Sequence, residues 1–335
     1  MAKTNNNSDK TRSFDQLKKK YVRSIIKLGN SKAITFPQDW TEIAELEEKS
    51  EVSLYPIDQK TIVVRAAEKE KEKTKFYIEG NKWPLRLIKQ AIISAFKLNT
   101  DEIFLKYTKE NQDSLYKILI ELQKEIIGFD FKNLSTTQEY YVHFLLDTSK
   151  TPFSDVLLDL ANIFYSIIKS VIQGESKKKN ELLLAEIDRK YSLGRRILIT
   201  GLIEYPISKG YRNLPIIQFL GDRVVLLYIK DFINEALNLL NYTQTVIKKY
   251  SDVLQRIPDL LIELIEQFQN INLENIASFH ENLTKLNQNL EKTNFEKINF
   301  EEIQIRNSIK YFLNSFQNFF DIGMTRLIES EIGMV

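Results

Sequence analysis

The chain has 335 residues, enough for two or three domains, and its 43% hydrophobic and 27% charged content is typical of a soluble, folded protein. It has no cysteine and two histidines, His143 and His280, which excludes disulfides and cysteine-ligated metals and disfavours histidine-based catalysis. No apolar run is long enough to cross a bilayer, and residues 1–13 lack the apolar core of a signal peptide, so we expect a cytoplasmic protein without membrane insertion.

The charge is unevenly distributed along the chain. Residues 1–35 hold nine basic and two acidic residues, a net +7, so the rest must carry −5 to reach the total of +2. A basic segment on a mildly acidic body favours contact with a polyanion, although a solvated, solubilising tail fits the same composition. Residues 1–14 are polar and asparagine-rich, and we expect them to form a disordered basic tail.

Residues 15–67 show the pattern of a small β domain that opens with a hairpin. Apolar and polar residues alternate over 21–28 and again over 32–36, which predicts two strands. Gly29-Asn30 between them is a strong turn dipeptide because both residues tolerate positive φ. Pro37 then ends the second strand and can start a short helix.

Two further strands, predicted at 51–55 and 61–65, complete this domain. Residues 56–59, Pro-Ile-Asp-Gln, join them as a turn. Four short strands and one helical turn bury little apolar area, and domains of this size are marginally stable alone. We therefore expect two copies of the domain to pair as a homodimer.

Residues 68–74 alternate in charge and read as a linker, and residues 75–148 follow as an α/β unit. The strand candidate KFYIEG begins this unit, and Gly128 is placed to end its second helix. The predicted order is βαβαββ. The helices are expected at 83–98 and 113–127 and the later strands at 102–107, 129–131 and 139–146.

Residues 149–335 are predicted to be helical almost throughout. Gly194 and Gly201 share a face of the second helix and would let a neighbouring helix approach closely. Pro258 and the asparagine-rich joints near Asn270 and Asn294 divide the later part of the chain. The expected architecture is an antiparallel bundle of five or six helices. The first three are predicted at 154–173, 180–205 and 214–250, and the last at 301–330.

The stretch IIKLGNSKAITFPQDW, residues 25–40, resembles the swapped-hairpin DNA-binding domains of the AbrB/MazE/SpoVT type. These domains carry a strand, a Gly-Asn-Ser or Gly-Ser-Ser turn, an alternating strand and a proline that opens a short helix. The resemblance covers about residues 20–66 and implies dimerisation and DNA binding. Members usually have a Gly-Asp turn after the helix, where this chain has LEEKSEV at 46–52.

The rest of the chain resembles the PhoU-like phosphate uptake regulators of archaea. Three segments carry this resemblance: LLDTSKTPFSDVLLDLANIFYSIIKSVIQG, AEIDRKYSLGRRIL and DRVVLLYIKDFINEALNLLN. It implies a multidomain α+β regulator in which an N-terminal DNA-binding β domain and a βαβαββ unit precede a PhoU-like antiparallel helical bundle. The function implied is regulation of transcription tied to phosphate uptake.

The basic hairpin supplies the predicted DNA contacts. Lysine and arginine supply affinity through phosphates, whereas arginine and asparagine can also read base edges. Arg23 and Lys27 are expected on the outward face of the first strand, and the acidic stretch 42–51 away from DNA. A solvated hairpin with ordinary surface lysines is the alternative. The candidate residues are Lys20, Arg23, Lys27, Asn30, Ser31 and Lys32.

Metal binding is not expected in the helical bundle. PhoU-type bundles can hold metals through a Glu-x-x-x-Asp motif on the third helix of each repeat, and the matching positions here are Lys230 with Asn234 and Gln317 with Asp321. One carboxylate among four positions is too few for a hard cation. We therefore predict no metal and no cofactor.

Charged residues on the second and third helices form a possible partner surface or ion-paired links between helices. A solvated helix face fits the same pattern. The residues are Glu186, Asp188, Arg189, Arg196, Arg223 and Asp231.

The sequence holds no phosphate-binding loop, dinucleotide-binding motif, HExxH motif or nucleophile elbow, so we do not expect an enzyme. The alternative function is an adaptor. Its bundle would bind a phosphate-transporter component or another regulatory protein, while the N-terminal domain only dimerises. An antitoxin-like role also fits the hairpin, but such antitoxins usually have a short tail rather than a long folded body.

Overall fold

The computed structural model describes residues 20–56, 60–66, 73–175, 177–204, 217–268, 271–292 and 299–332. These residues form a mixed α+β fold in which small N-terminal strand hairpins precede a largely helical region, as predicted. The chain divides into two compact units, residues 1–72 and 73–335. The predicted tail at 1–14 and residues 68–72 of the predicted linker lie outside the described residues.

The first unit contains two separate antiparallel hairpins, β1–β2 and β3–β4, on either side of a short helix. The predicted first strand at 21–28 is wrong in its length. The ladder stops at the Ile26–Ala33 pair, so among the described residues no strand lies opposite residues 21–25, which take no regular structure. For the same reason the second strand ends before 34–36. The elements are β1 (Ile26–Leu28), β2 (Ser31–Ala33), α1 (Gln38–Ile43), β3 (Val52–Pro56) and β4 (Ile62–Ala66).

Three of the described residues in the turns of this unit have positive φ: Gly29, Glu45 and Lys49. Gly29 has φ of 60° at the first turn position of β1–β2, where a type II′ turn places glycine. Lys49, in the segment that lacks the Gly-Asp pair, has φ of 70°. The Ser50 hydroxyl accepts a hydrogen bond from the Glu47 backbone N–H at 2.9 Å and steadies that turn. The chain therefore turns after α1 without a glycine.

The second unit begins with an α/β module, residues 75–144, in the predicted order βαβαββ. The sheet has the strand order β5-β6-β8-β7, with β5 and β6 parallel and the other neighbours antiparallel. Apolar side chains of α2 and α3 pack against one face of this sheet and form its core. The elements are β5 (Lys75–Glu79), α2 (Leu85–Lys97), β6 (Glu102–Lys106), α3 (Gln112–Glu125), β7 (Phe129–Leu134) and β8 (Glu139–Phe144).

A helical body, residues 153–331, follows the module. Its first long helix, α4, is the most central because it packs against α5, α6 and α8, and α10 packs against α6, α8 and α9. Buried phenylalanines such as Phe164, Phe232 and Phe312 meet edge to face at the centre. The helices are α4 (Phe153–Gln173), α5 (Lys177–Ile203), α6 (Gln218–Leu239), α7 (Gln244–Ile247), α8 (Ser251–Gln267), α9 (Leu273–Lys292) and α10 (Phe300–Glu331).

Two predicted helix boundaries in the body are wrong. The predicted third helix does not continue to 250. Hydrogen bonds of the 3₁₀ type, such as that from the Tyr242 N–H to the Leu239 carbonyl at 3.2 Å, end α6, and Thr243 then has an extended backbone. Pro258 does not break the chain but lies inside α8, where its ring is buried. Burial of that apolar ring offsets the backbone hydrogen bond that proline cannot make. Residues 205–216, which include the predicted start of the third helix, lie outside the described residues.

The prediction for Gly194 is confirmed. A Cβ at this position would lie 2.9 Å from Leu226 Cδ2 on α6 and 3.4 Å from Val156 Cγ1 on α4. Only a residue without a side chain allows the three helices to approach this closely. Among the helices that the structure describes, none is both long and apolar enough to span a bilayer.

Candidate nucleic-acid interface

The β1–β2 hairpin presents its basic residues to solvent. Lys27 and Lys32 are directly opposite each other in the ladder, so their side chains leave the hairpin on the same face. Ser31 pairs with Leu28, and Asn30 occupies the turn. All six residues proposed from the sequence are exposed: Lys20, Arg23, Lys27, Asn30, Ser31 and Lys32.

Arg23 differs from its predicted placement. It precedes β1 and does not share a strand with Lys27, because the ladder begins at Ile26. Its Nη1 donates to the Val22 carbonyl at 3.2 Å, and its guanidinium lies 5.8 Å from the centre of the Tyr21 ring. Arg23 is therefore held locally, beside the hairpin and not on it.

A second contact ties this segment to the helix. The Tyr21 hydroxyl donates to Asp39 Oδ2 at 3.0 Å. Partial burial and this hydrogen bond raise the pKa of Tyr21, so the phenol stays protonated as the donor at neutral pH. The contact fixes where residues 20–25 leave the hairpin.

Opposite charges are separated within the first unit. Residues 20–36 contain four basic residues and no acidic residue, whereas residues 37–51 contain six acidic residues and one lysine. The hairpin is thus the positive part of this unit, and the helix with its following turn is the negative part. Such a distribution favours approach of a polyanion to the hairpin.

The first unit has almost no core of its own. None of its described residues is buried, and large apolar side chains on its strands, its helix and the segments beside them are exposed. A two-stranded hairpin alone is at most marginally stable in water. The exposed apolar residues are Val22, Ile25, Ile26, Leu28, Ile34, Ile43, Leu54 and Ile62.

The charged residues predicted on the helical body form local pairs. Asp188 Oδ1 lies 2.8 Å from Lys230 Nζ and links α5 to α6, while Glu186 and Arg189 pair within α5 at 3.3 Å. Asp231 is half-buried, and burial raises its pKa. Arg223 is exposed. These residues are distributed along two helices and do not surround a common cleft.

Arg196 was predicted on the same surface, and that placement is wrong. Arg196 is only 3% exposed, and its Nη1 donates to the carbonyl oxygens of Phe96 at 2.8 Å and Thr100 at 3.1 Å. The guanidinium also lies 4.9 Å from the Phe96 ring centre and 5.2 Å from that of Phe144. Burial lowers its pKa to about 10, which leaves it charged at neutral pH. Arg196 therefore joins the helical body to the α/β module.

The positions of the metal-binding motif hold other contacts. Lys230 is paired with Asp188, and its ammonium lies 4.5 Å from the centre of the Tyr191 ring. Gln317 donates to Asp321 at 3.4 Å. Within the part of the chain that the structure describes, no group of three or more histidine, aspartate or glutamate side chains is arranged to hold a metal ion.

Two features were missed by sequence reasoning. Asp222 on α6 and Arg326 on α10 form a buried ion pair at 2.5 Å, a contact that no local pattern reveals because the residues are far apart in the chain. Tyr77, Phe104 and Tyr141 lie side by side across three strands. Each of the three is the third residue of its strand, in KFYIE, EIFLK and EYYVHF. An aromatic residue at the same position of three paired strands is a signal that could have revealed this row.

No protein-family model, curated protein or solved structure matches the chain. A function is therefore proposed from the residues alone.

Proposed function

We propose that the chain is a DNA-binding transcriptional regulator that contacts DNA as a homodimer through the β1–β2 hairpin. Lys27 opposite Lys32 carries this proposal. Like charges directly across a ladder destabilise a hairpin, by an amount within the roughly 0.2–1 kcal/mol of cross-strand pairs. A DNA phosphate close to both ammonium groups would attract both of them, and this attraction would offset their mutual repulsion.

The turn supplies groups of a different kind. The Asn30 amide and the Ser31 hydroxyl are exposed beside the two lysines, and both side chains can donate to and accept from a base edge or a phosphate. Lysines therefore supply the salt-dependent part of the affinity, and the turn supplies the part that can depend on sequence.

The homodimer is supported by the exposed apolar residues of the first unit. Interleaving two copies would bury side chains such as Leu28 and Leu54 and would pair strand edges that each hairpin leaves open. Two hairpins would then present about twice the positive charge to one DNA duplex. The resemblance to swapped-hairpin domains supports the same arrangement.

The regulated process is proposed to be phosphate uptake or homeostasis. This part rests on the resemblance of the helical segments to PhoU-like regulators and on a helical body that is large compared with the hairpins. The body would receive the signal, and the hairpin would act on DNA. An adaptor that binds a transporter component is the competing function if the hairpin does not bind DNA.

The first prediction tests the hairpin with the variant Lys27→Ala/Lys32→Ala. Removing two charges per chain removes four per dimer, so the slope of log affinity against log salt is expected to flatten by about 3–4 units, at roughly 0.9 per phosphate. Fluorescence titrations of mixed-sequence duplex DNA at several salt concentrations measure the slope. Circular dichroism should show a folded variant, because both side chains are exposed.

The matched control is Lys117→Ala/Lys124→Ala, which removes the same charge from the exposed side of α3. Its salt slope is expected to remain that of the unmodified chain. If the hairpin variant keeps the original affinity and slope while folded, the hairpin is not the DNA contact and the adaptor function gains support.

A further inference from the structure

The sheet of the α/β module has a second face, opposite the one that α2 and α3 cover. Its side chains come from alternate residues of the four strands and fall into three cross-strand rows. The middle row consists of Tyr77, Phe104, Tyr141 and Lys132. Tyr77 is 65% exposed, so this row reaches solvent at its β5 end.

The rings of the middle row form a continuous aromatic row, defined here as Tyr77, Phe104 and Tyr141. The centres of the Tyr77 and Phe104 rings are 5.1 Å apart with an interplanar angle of 15°, and those of Phe104 and Tyr141 are 5.3 Å apart at 49°. His143 continues the contact, 5.3 Å from Tyr141 at 17°. Solvent-facing strand positions normally carry polar residues, so a row of this kind indicates a contact surface.

Charged residues flank the aromatic row on both sides, and they comprise two lysines and four carboxylates, so the flanking rows carry no excess of positive charge. Single-stranded nucleic acid binds stacked aromatics in a groove that is clearly positive, and this face is not. A polyanion is therefore a poor occupant. One flanking row is Lys75, Glu102, His143 and Asp130, and the other is Glu79, Lys106, Glu139 and Leu134.

The order of charges fits a second copy of the same face. Rotation by 180° about an axis along the aromatic row places each flanking row over the other row of a partner. Lys75 then faces the partner's Glu79, Glu102 faces the partner's Lys106, and His143 faces the partner's Glu139. These three pairs join groups that can attract each other, and each aromatic residue meets its own counterpart. Glu102 is only 8% exposed and already accepts hydrogen bonds from Lys73 and Tyr141, so the Lys75 and His143 pairs are the ones left to form. At the β7 edge Asp130 faces the partner's Leu134 and Lys132 meets its own counterpart, so the complementarity is confined to β5, β6 and β8.

We propose that the open sheet face of the α/β module is a homotypic interface, in which the aromatic rows of two chains pack face to face. Two twisted sheets pack in this way at a separation of about 10 Å. Four strands of five residues, spaced by about 4.8 Å and rising about 3.4 Å per residue, cover roughly 300 Å².

This area is well below the approximately 800 Å² per partner of a stable complex. The contact is therefore expected within a dimer that the first unit has already joined, where a high effective concentration favours it. To that extent the inference rests on the proposed homodimer.

The test uses the absence of cysteine from the full chain. Tyr77→Cys places one thiol next to the proposed two-fold axis, where the two Cα atoms are about 10 Å apart across the facing sheets and the two thiols are no farther apart than that. A bifunctional thiol reagent of about that length is expected to link two Y77C chains into a covalent dimer. The substitution is at an exposed position, so the core stays intact.

Two control variants set the background. Lys75→Cys lies on the same strand but off the axis, so its two copies are about 17 Å apart and should give little product. Tyr116→Cys is exposed on α3, away from the open sheet face, and reports random collisions between tethered chains. Covalent dimer that forms with Y77C far faster than with both controls supports the proposal.

Other outcomes overturn it. If Y77C reacts no faster than Y116C while sedimentation shows a dimer, the homotypic interface is wrong and the dimer proposal stands. If sedimentation shows a monomer and Y77C does not cross-link, both proposals fail. If a single-stranded oligonucleotide protects the Y77C thiol from the reagent, the face binds bases and not a second copy.

Discussion

Glu102 shows how one side chain of the sheet is held by its neighbours. It accepts hydrogen bonds from Lys73 Nζ at 2.9 Å and from the Tyr141 hydroxyl at 2.8 Å. The hydrogen bond from Lys73, together with that from Tyr141, lowers the pKa of Glu102. The bond between Lys73 and Glu102 also raises the pKa of Lys73. The carboxylate thereby orients Tyr141, a member of the aromatic row.

Glu102→Gln is expected to lower stability at neutral pH, because the carboxylate is the favoured partner of Lys73. The folded-state pKa of Glu102 is below its unfolded value, so its contribution is present above the unfolded pKa and is lost as the pH falls through the folded pKa. Denaturant unfolding at several pH values measures this. The two chains should differ at pH 7 and converge in acid; a difference independent of pH would contradict the assignment.

The residues of the candidate sites were predictable to different degrees. The hairpin lysines follow from a local pattern, because alternation and a glycine turn fix which residues face each other. Arg23 was misplaced because strand length depends on a partner strand, which local alternation does not reveal. Arg196 carried the same local signature as a surface arginine, and only the packing of α5 against the module shows that it is buried.

At the scale of elements, apolar periodicity located the helices and most of their ends. The α/β module follows its predicted order because each helix and strand is short and bounded by clear signals such as Gly128, which has φ of 72°. The predicted end of α6 and the predicted helix boundary at Pro258 were wrong for the same reason. The break at 240–243 and the tolerance of a buried proline depend on which neighbours these segments pack against.

Gly194→Ala and Gly323→Ala are expected to change stability in opposite directions. Alanine favours a helix interior over glycine by about 1 kcal/mol. At Gly194 the new methyl group would lie 2.9 Å from the fully buried Leu226, and overpacking of this kind costs about 1–3 kcal/mol. At Gly323 the nearest atom, Phe268 Cε1, is 3.6 Å away, an ordinary contact.

Denaturant unfolding compares the two alanine variants. G194A is expected to lose about 1 kcal/mol, and G323A to gain about 0.5–1 kcal/mol. Equal shifts in both variants would show that close packing between α5 and α6 does not decide the outcome.

The whole molecule consists of one unit with a large core and one with hardly any. Sequence length and the small size of residues 15–67 were sufficient to expect that the first unit needs a second copy. The structure adds that every one of its described residues is at least partly exposed. How two copies would interleave does not follow from the sequence of one chain, because in the proposed homodimer the residues that cover these side chains belong to the second chain.

Leu54→Lys is expected to convert a dimer into a monomer. Leu54 on β3 is 59% exposed in the single chain, so lysine should fit there without unfolding it, but an interleaved dimer would bury the charge. Leu98→Lys, at a position of the second unit that is also 59% exposed, is the matched control and should keep the original mass. Sedimentation velocity reports both; an unchanged mass for L54K would exclude burial of this leucine.

Arg196 has a further consequence for behaviour in acid. Its acceptors are two backbone carbonyl oxygens at the end of α2, and a carbonyl does not take up a proton in the range where carboxylates do. Acid therefore leaves this contact in place. The α/β module and the helical body are therefore joined by hydrogen bonds that acid does not break. They should separate only when the whole second unit unfolds.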